Sequence, residues 1–240
     1  MNEDSLAFSP DQFSGLARMF PLPNLVMFPH VMQAMHIFEP RYRAMFEEAV
    51  SDDKLIALGV LSPGWEVDYE GRPALEPVGC LCRIATYQQT PEGTYNVLLL
   101  GVRRIRLRDE LPPTRPFRVV EAGIVEDEIP PQFSDQEVSA MQQKLLAAFK
   151  HALPKMPSSY DQIDELLGSQ ITLGMLADIV AYTAELSLEV KLSLLKSSNV
   201  FDRVQVLLRV LGKNSPAGVA SRTFPPAFSV NLPLFYPMST

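Results

Sequence analysis

Phe20-Pro-Leu-Pro-Asn-Leu-Val-Met-Phe-Pro29, followed by His36-Ile-Phe-Glu-Pro-Arg-Tyr-Arg43, sets the plan of this chain. Proline cannot donate to a sheet ladder, so Pro21, Pro23 and Pro29 belong at strand ends or on an edge. The run Leu22 to Phe28 between them reads as a strand. Pro40 then opens a helix at the first-turn position, where its missing N–H costs nothing. Tyr42, Met45, Phe46, Ala49 and Val50 recur at helical spacing and form its apolar face, with Arg43, Glu47 and Glu48 off that face. Upstream, residues 1–19 read as weakly structured, with one short helical turn after Pro10.

Downstream the period turns to two. Leu55 to Leu61 is an unbroken apolar run of buried-strand length. Val78 to Tyr87 places Val78, Cys80, Cys82 and Ile84 on one face. Thr90-Pro-Glu-Gly93 is a turn, Tyr95 to Leu107 its partner strand with a bend at Gly101, and Phe117 to Val125 a further strand after Pro112-Pro113. Many short strands with one early helix predict a small, partly closed β-barrel or pseudo-barrel. Pro130-Pro131 marks a boundary, beyond which the period is helical. Ser134 and Glu137 have capping-box spacing, and Val138, Met141, Leu145, Phe149 and Ala152 line the helix that follows. Pro154 and Pro157 end it, and Tyr160, Ile163, Leu166 and Leu167 fall in a short segment beyond. Leu173, Leu176, Ala177 and Val180 make another helical face. Ser187 and Asn199 are N-caps of two more helices, and Gly212 is placed as a left-handed C-cap. The chain is therefore α+β. Its expected divisions are a flexible N-terminus over 1–17, a β-rich unit over 18–129, a helical bundle over 132–212 and an extended Pro-rich tail over 213–240.

Composition narrows the function classes. The chain has 240 residues, 47% apolar and 20% charged, within the globular range. Its 21 prolines exceed the usual share of roughly 5% and mark segmentation. A net charge of −7 disfavours nucleic acid as a partner. The one basic island is Arg103, Arg104, Arg106, Arg108, Arg115 and Arg118. The only two cysteines, Cys80 and Cys82, share a strand face and cannot easily bridge, so a secreted disulfide framework is not expected. No leader peptide and no run of roughly 18 apolar residues is visible, and the cytoplasm is the expected address, with no membrane role.

The order of these blocks resembles the N-terminal, substrate-recognition domain of Lon protease. The resemblance is carried by Phe20–Pro29 with His36–Arg43, and by Val78-Gly-Cys-Leu-Cys-Arg-Ile84. It continues through Gly93-Thr-Tyr-Asn-Val97 with Gly101-Val-Arg-Arg-Ile-Arg106, Glu126-Asp-Glu128, Leu176-Ala-Asp178 and the stretch from Leu194-Leu195 to Arg203. It spans roughly residues 18–212. Gln33-Ala34-Met35 departs from it, standing where the family usually has a Pro-Leu step before the histidine. The resemblance implies a PUA-like pseudo-barrel joined to a helical bundle, engaging polypeptides as a non-catalytic module. No Gly-x-x-x-x-Gly-Lys-Ser/Thr phosphate loop occurs in the sequence, no Ser/Lys protease domain is expected in it, and neither cofactor nor catalytic residue is expected.

Candidate residues follow. Met27, Phe28, Met32 and Met35, near the expected barrel–bundle junction, are the candidate contacts for an unfolded or extended polypeptide, or for a folded protein partner. Methionine adapts its shape to varied partners. Barrel core is the competing reading of the same residues. An exposed sheet edge could also take an extended segment as an added strand. Glu39, Pro40, Arg41, Tyr42, Gly79, Gly101 and Arg104 form the structural motif. Glu39 caps the helix and is expected to pair with an arginine of the 103–106 strand. PUA-like folds include RNA binders, so Arg104, Arg106 and Arg108, within the Arg103–Arg118 face, are the alternative, RNA-binding set. Cys80 and Cys82 with the dispersed His30, His36 and His151 do not assemble a metal site and are placed facing the barrel core. An enzyme of small molecules would need a deep polar pocket with convergent titratable groups, and no Gly-x-Ser-x-Gly elbow is present.

Overall fold

The computed structural model describes residues 8–68, 71–152 and 171–213. A short 3-10 turn over Pro10–Gln12 precedes the first strand, β1 (Leu16–Leu22). Then come β2 (Met32–Ile37), α1 (Pro40–Ser51), β3 (Leu55–Val60), β4 (Val78–Gln89), β5 (Tyr95–Glu110) and β6 (Arg118–Val125). The helical half is α2 (Asp135–Ala152), α3 (Leu173–Thr183), α4 (Leu188–Lys196) and α5 (Val200–Lys213).

The six strands run in the order β2-β5-β4-β3-β1-β6, and β6 also pairs with β5. The circuit β1-β3-β4-β5-β6 is therefore closed, with β2 outside it. Among the described strands only β1 and β3 pair in parallel, bridged by α1. Strand alternation then sorts the apolar residues into two sets. Ala17, Met19, Leu55, Ala57, Leu81, Ile105, Val120 and Ala122 fill the inside of the ring. Phe20, Ile56, Leu58, Cys80, Cys82 and Leu99 point outward and share one continuous core with α1 and all four later helices. The two thiols thus face the helical layer, not the barrel core expected of them.

Two further expectations are corrected. The first strand lies six residues earlier than Leu22–Phe28, over a stretch read as weakly structured. After Met19, the last residue paired with β6, one edge of β1 is open. Pro21 is tolerated there, and the chain leaves the sheet at Pro23. Gly212 lies inside α5 rather than capping it, because glycine permits a left-handed turn without compelling one. The expected caps do form. The Ser134 amide donates to Glu137 Oε2 at 2.8 Å. Ser187 Oγ accepts from the Val190 amide at 3.3 Å, and Asn199 Oδ1 from the Phe201 amide at 2.9 Å. The expectations for Pro154 to Leu167 and for residues 214–240 lie outside the described residues.

Candidate functional site

β5 does two jobs because it carries an extra residue. Leu81 pairs with Arg103 and Cys82 with Gly101, so Val102 is a bulge. Ahead of it, Tyr95, Val97 and Leu99 face the helical layer; beyond it, Ile105 faces the ring interior. The bulge thereby turns the even-numbered Arg104 toward the helices.

There Arg104 enters a four-member ionic cluster, buried at Arg104, Asp178 and Arg203 and open to solvent at Asp127. Its guanidinium donates to both carboxylate oxygens of Asp178 on α3, and to Asp127 Oδ1 at 3.0 Å. Arg203 of α5 donates to Asp178 Oδ1 at 3.1 Å and to Asp127 Oδ2 at 2.5 Å. Asp178, Arg203 and Arg104 are 0%, 1% and 2% exposed. Two cations and two anions balance, as burial demands. Burial pushes the Asp178 carboxyl above its ordinary value, and Arg104 and Arg203 pull it back. Beside the cluster, the Glu128 amide donates to Ser198 O and the Val200 amide to Glu128 O, at 2.9 and 3.0 Å. The Glu126-Asp127-Glu128 segment therefore ties the barrel to the N-terminus of α5. Burial also holds the His30 imidazole below its ordinary value, with Asp127 opposing and the nearby arginines reinforcing.

The other feature is the sheet flange outside the ring, made by β2, the first half of β5 and the end of β4. Met32, Ala34 and His36 lie opposite Leu100, Leu98 and Asn96, and Leu98 and Asn96 lie opposite Thr86 and Gln88. Opposed residues share a face. Met32 is 46% exposed, and Phe38, stacked on His36 at 6.0 Å, is 55% exposed. His36 Nδ1 is 2.8 Å from Asn96 Oδ1. The opposite face turns Ile37 into the helical core, with Met35 packed against it.

β2 ends the sheet order, so among the described residues its outer edge has no strand partner. The Gly101 amide donates to Val31 O, and alternation then turns the Gln33, Met35 and Ile37 backbones toward β5. The backbones of Met32, Ala34 and His36 point outward. In agreement, Ala34 O accepts from Gln33 Nε2 at 2.6 Å. The Tyr182 hydroxyl of α3 donates to Gln33 Oε1, which places the flange beside the helices.

The four candidate contacts separate. Met27 and Phe28 are buried in the helical core, so their side chains offer no surface. Met32 and Met35 lie on the flange, joined by Phe38, which the sequence reading left out. An exposed phenylalanine just before a helix is the signal that could have found it. In the motif set, Glu39 sits at the N-cap of α1, where its carbonyl accepts from the Arg43 amide, but its carboxylate makes no cap bond. Glu39 pairs with Arg41 at 2.9 Å rather than with an arginine of β5. Neighbours on α1 are within reach, whereas Arg104 is committed to Asp178. Tyr42 is buried beneath Arg41. Gly79 and Gly101 sit at close crossings. A Cβ on Gly101 would lie 2.1 Å from the Phe28 carbonyl oxygen.

The basic island is largely spoken for. Arg104 is buried, Arg103 lies 3.6 Å from Glu126, and Arg115 and Arg118 pair with Glu48 and Glu110. Arg106 and Arg108 alone remain as exposed members of the RNA-binding set. Among the described residues, no three His, Cys, Asp or Glu converge as a metal site would need, and no helix is long and apolar enough to cross a membrane.

The class of fold is a closed strand ring clamped to a helical cluster, with an apolar flange outside the ring. The family model described as "ATP-dependent protease La (LON) substrate-binding domain" matches residues 17–213, and the chain belongs to this family. Lon protease of Desulfosudis oleivorans is 24% identical over 84% of the chain, and Lon protease 1 of Thermus thermophilus is 29% identical over 80%. Each match takes in only 24% of the relative, so the chain spans about a quarter of the length of these proteins. Among solved structures, the Lon N-terminal domain protein from Xanthomonas campestris aligns with a TM-score of 0.57 at 21% identity, covering 81% of this chain and 97% of that one. The N-terminal domain of Mycobacterium avium complex Lon protease aligns at 0.61 and 15%, covering 82% and 98%. These likenesses give the α+β fold.

Proposed function

We propose that this chain is a non-catalytic module that binds extended polypeptide along β2, with Met32, Met35 and Phe38 as the apolar contacts. The observation that carries the reading is the coincidence, among the described residues, of an unpaired strand edge with the exposed apolar side chains of Met32 and Phe38 on one flange. Main-chain groups of Met32, Ala34 and His36 would hydrogen-bond any sequence, and the side chains would select apolar ones. Membership of a substrate-binding family supports this. No cofactor is needed.

The test is fluorescence anisotropy with a labelled, reduced and unfolded casein, using the chain with Met32→Lys and Phe38→Lys changed together. Both side chains are exposed, so the far-UV spectrum should not change. Binding should weaken roughly tenfold or more, the scale of losing two apolar anchors. Undiminished affinity in the folded double variant would remove β2 from the proposal.

A further inference from the structure

A cleft of about 340 Å³ is lined by Arg41, Arg72 and Arg118 together with Tyr42, Phe117 and Pro73. Among the described residues, no carboxylate lines it. Arg72 and Arg118 share one counter-ion, Glu110, at 2.5 Å each, and Arg118 Nη1 also donates to Pro73 O at 2.7 Å. Arg41 is braced by Glu39 and lies over the Tyr42 ring, 4.7 Å from its centroid. Two guanidinium groups on one carboxylate leave the pair with one positive charge in excess. A single negative charge meets that excess, whereas a dianion would overshoot it. The proline and aromatic walls suit an apolar body behind that charge.

We propose that this cleft binds a carboxylate carried on an apolar body, either a free aryl or alkyl acid or the C-terminal carboxylate of a chain ending in an apolar residue. Arg72 and Arg118 take the carboxylate in bidentate fashion, and Tyr42 and Phe117 flank the body. The site is independent of β2, so neither proposal falls with the other.

The experiment is titration of the ¹⁵N-labelled full chain with 3-phenylpropionate and, separately, with 3-phenylpropanamide. Two further arms use Ala-Ala-Phe with a free and with an amidated C-terminus. Saturable shifts at Tyr42, Arg72, Phe117 and Arg118 are expected from at least one carboxylate ligand and not from its neutral twin. The arm that responds names the source. Arg72→Gln, a change at an exposed side chain, should weaken binding roughly tenfold, the value of one charge-assisted hydrogen bond. Arg118→Gln, which removes the other carboxylate contact, serves as the second variant should Arg72→Gln disturb the spectrum elsewhere. Equal shifts from acid and amide, no shifts from any arm, or unaltered affinity in the folded variants would overturn the site.

Discussion

His30 holds a left-handed backbone conformation, φ 65°, with its amide donating to Gly101 O at 2.8 Å. Its half-buried imidazole resists protonation in the folded chain, so in acid the unfolded chain takes up a proton that the native chain does not. Stability attributable to His30 is therefore present above the unfolded value of about 6.5 and declines as pH falls toward the lower folded value. His30→Asn keeps a residue that tolerates this conformation and removes the titration. Melting temperature followed from pH 7.5 to 5.5 should fall less in His30→Asn than in the parent; equal slopes would refute the assignment. At this scale the sequence was partly legible. Arg104 stood out as structural, and Asp178 and Arg203 fell within quoted blocks. Their meeting could not be read, because it depends on a bulge at Val102 that no local pattern announces. Met27 and Phe28 misled for a related reason: an apolar side chain looks the same in sequence whether it is core or surface.

At the scale of elements, the helices were read well because caps and a 3.6-residue period are local signals. β2 was missed. Met32-Gln-Ala-Met-His-Ile37 mixes polar and apolar residues on both faces, as an edge strand with one face outside the core does. β1 was displaced because prolines mark where a strand weakens, not which side of them it occupies. The outward backbone at Ala34 yields a contrast. Ala34→Pro, which restores the proline usual at this step, should fold with little loss, since its N–H joins no ladder. Met35→Pro deletes a donor to β5 and strands a carbonyl, at a cost of about 1–3 kcal/mol. Urea unfolding of the two variants checks this; similar midpoints would show the edge polarity to be reversed.

For the whole molecule, the α+β class and the change from strand to helix near Pro130 were legible from period alone. Less legible was that both halves share one apolar core and one ionic cluster. Asp178→Ala would leave Arg104 and Arg203, both buried, with Asp127 as their one shared counter-ion. The loss should be about 3–5 kcal/mol, as for other buried pairs deprived of one partner. Calorimetry should show one transition, lower in temperature, with barrel and helices lost together. A drop below about 1 kcal/mol would mean that the arginines find water or another acceptor.

Ring closure has a consequence for biosynthesis. Ala17 pairs with Val120, so a ribosome must deliver over a hundred further residues before the first strand gains its last neighbour. Until then the nascent chain holds an unclosed sheet with two raw edges, and Arg104 waits longer still for Asp178 and Arg203. Long-range pairings of this kind are slow to form and exposed to mispairing in the interval.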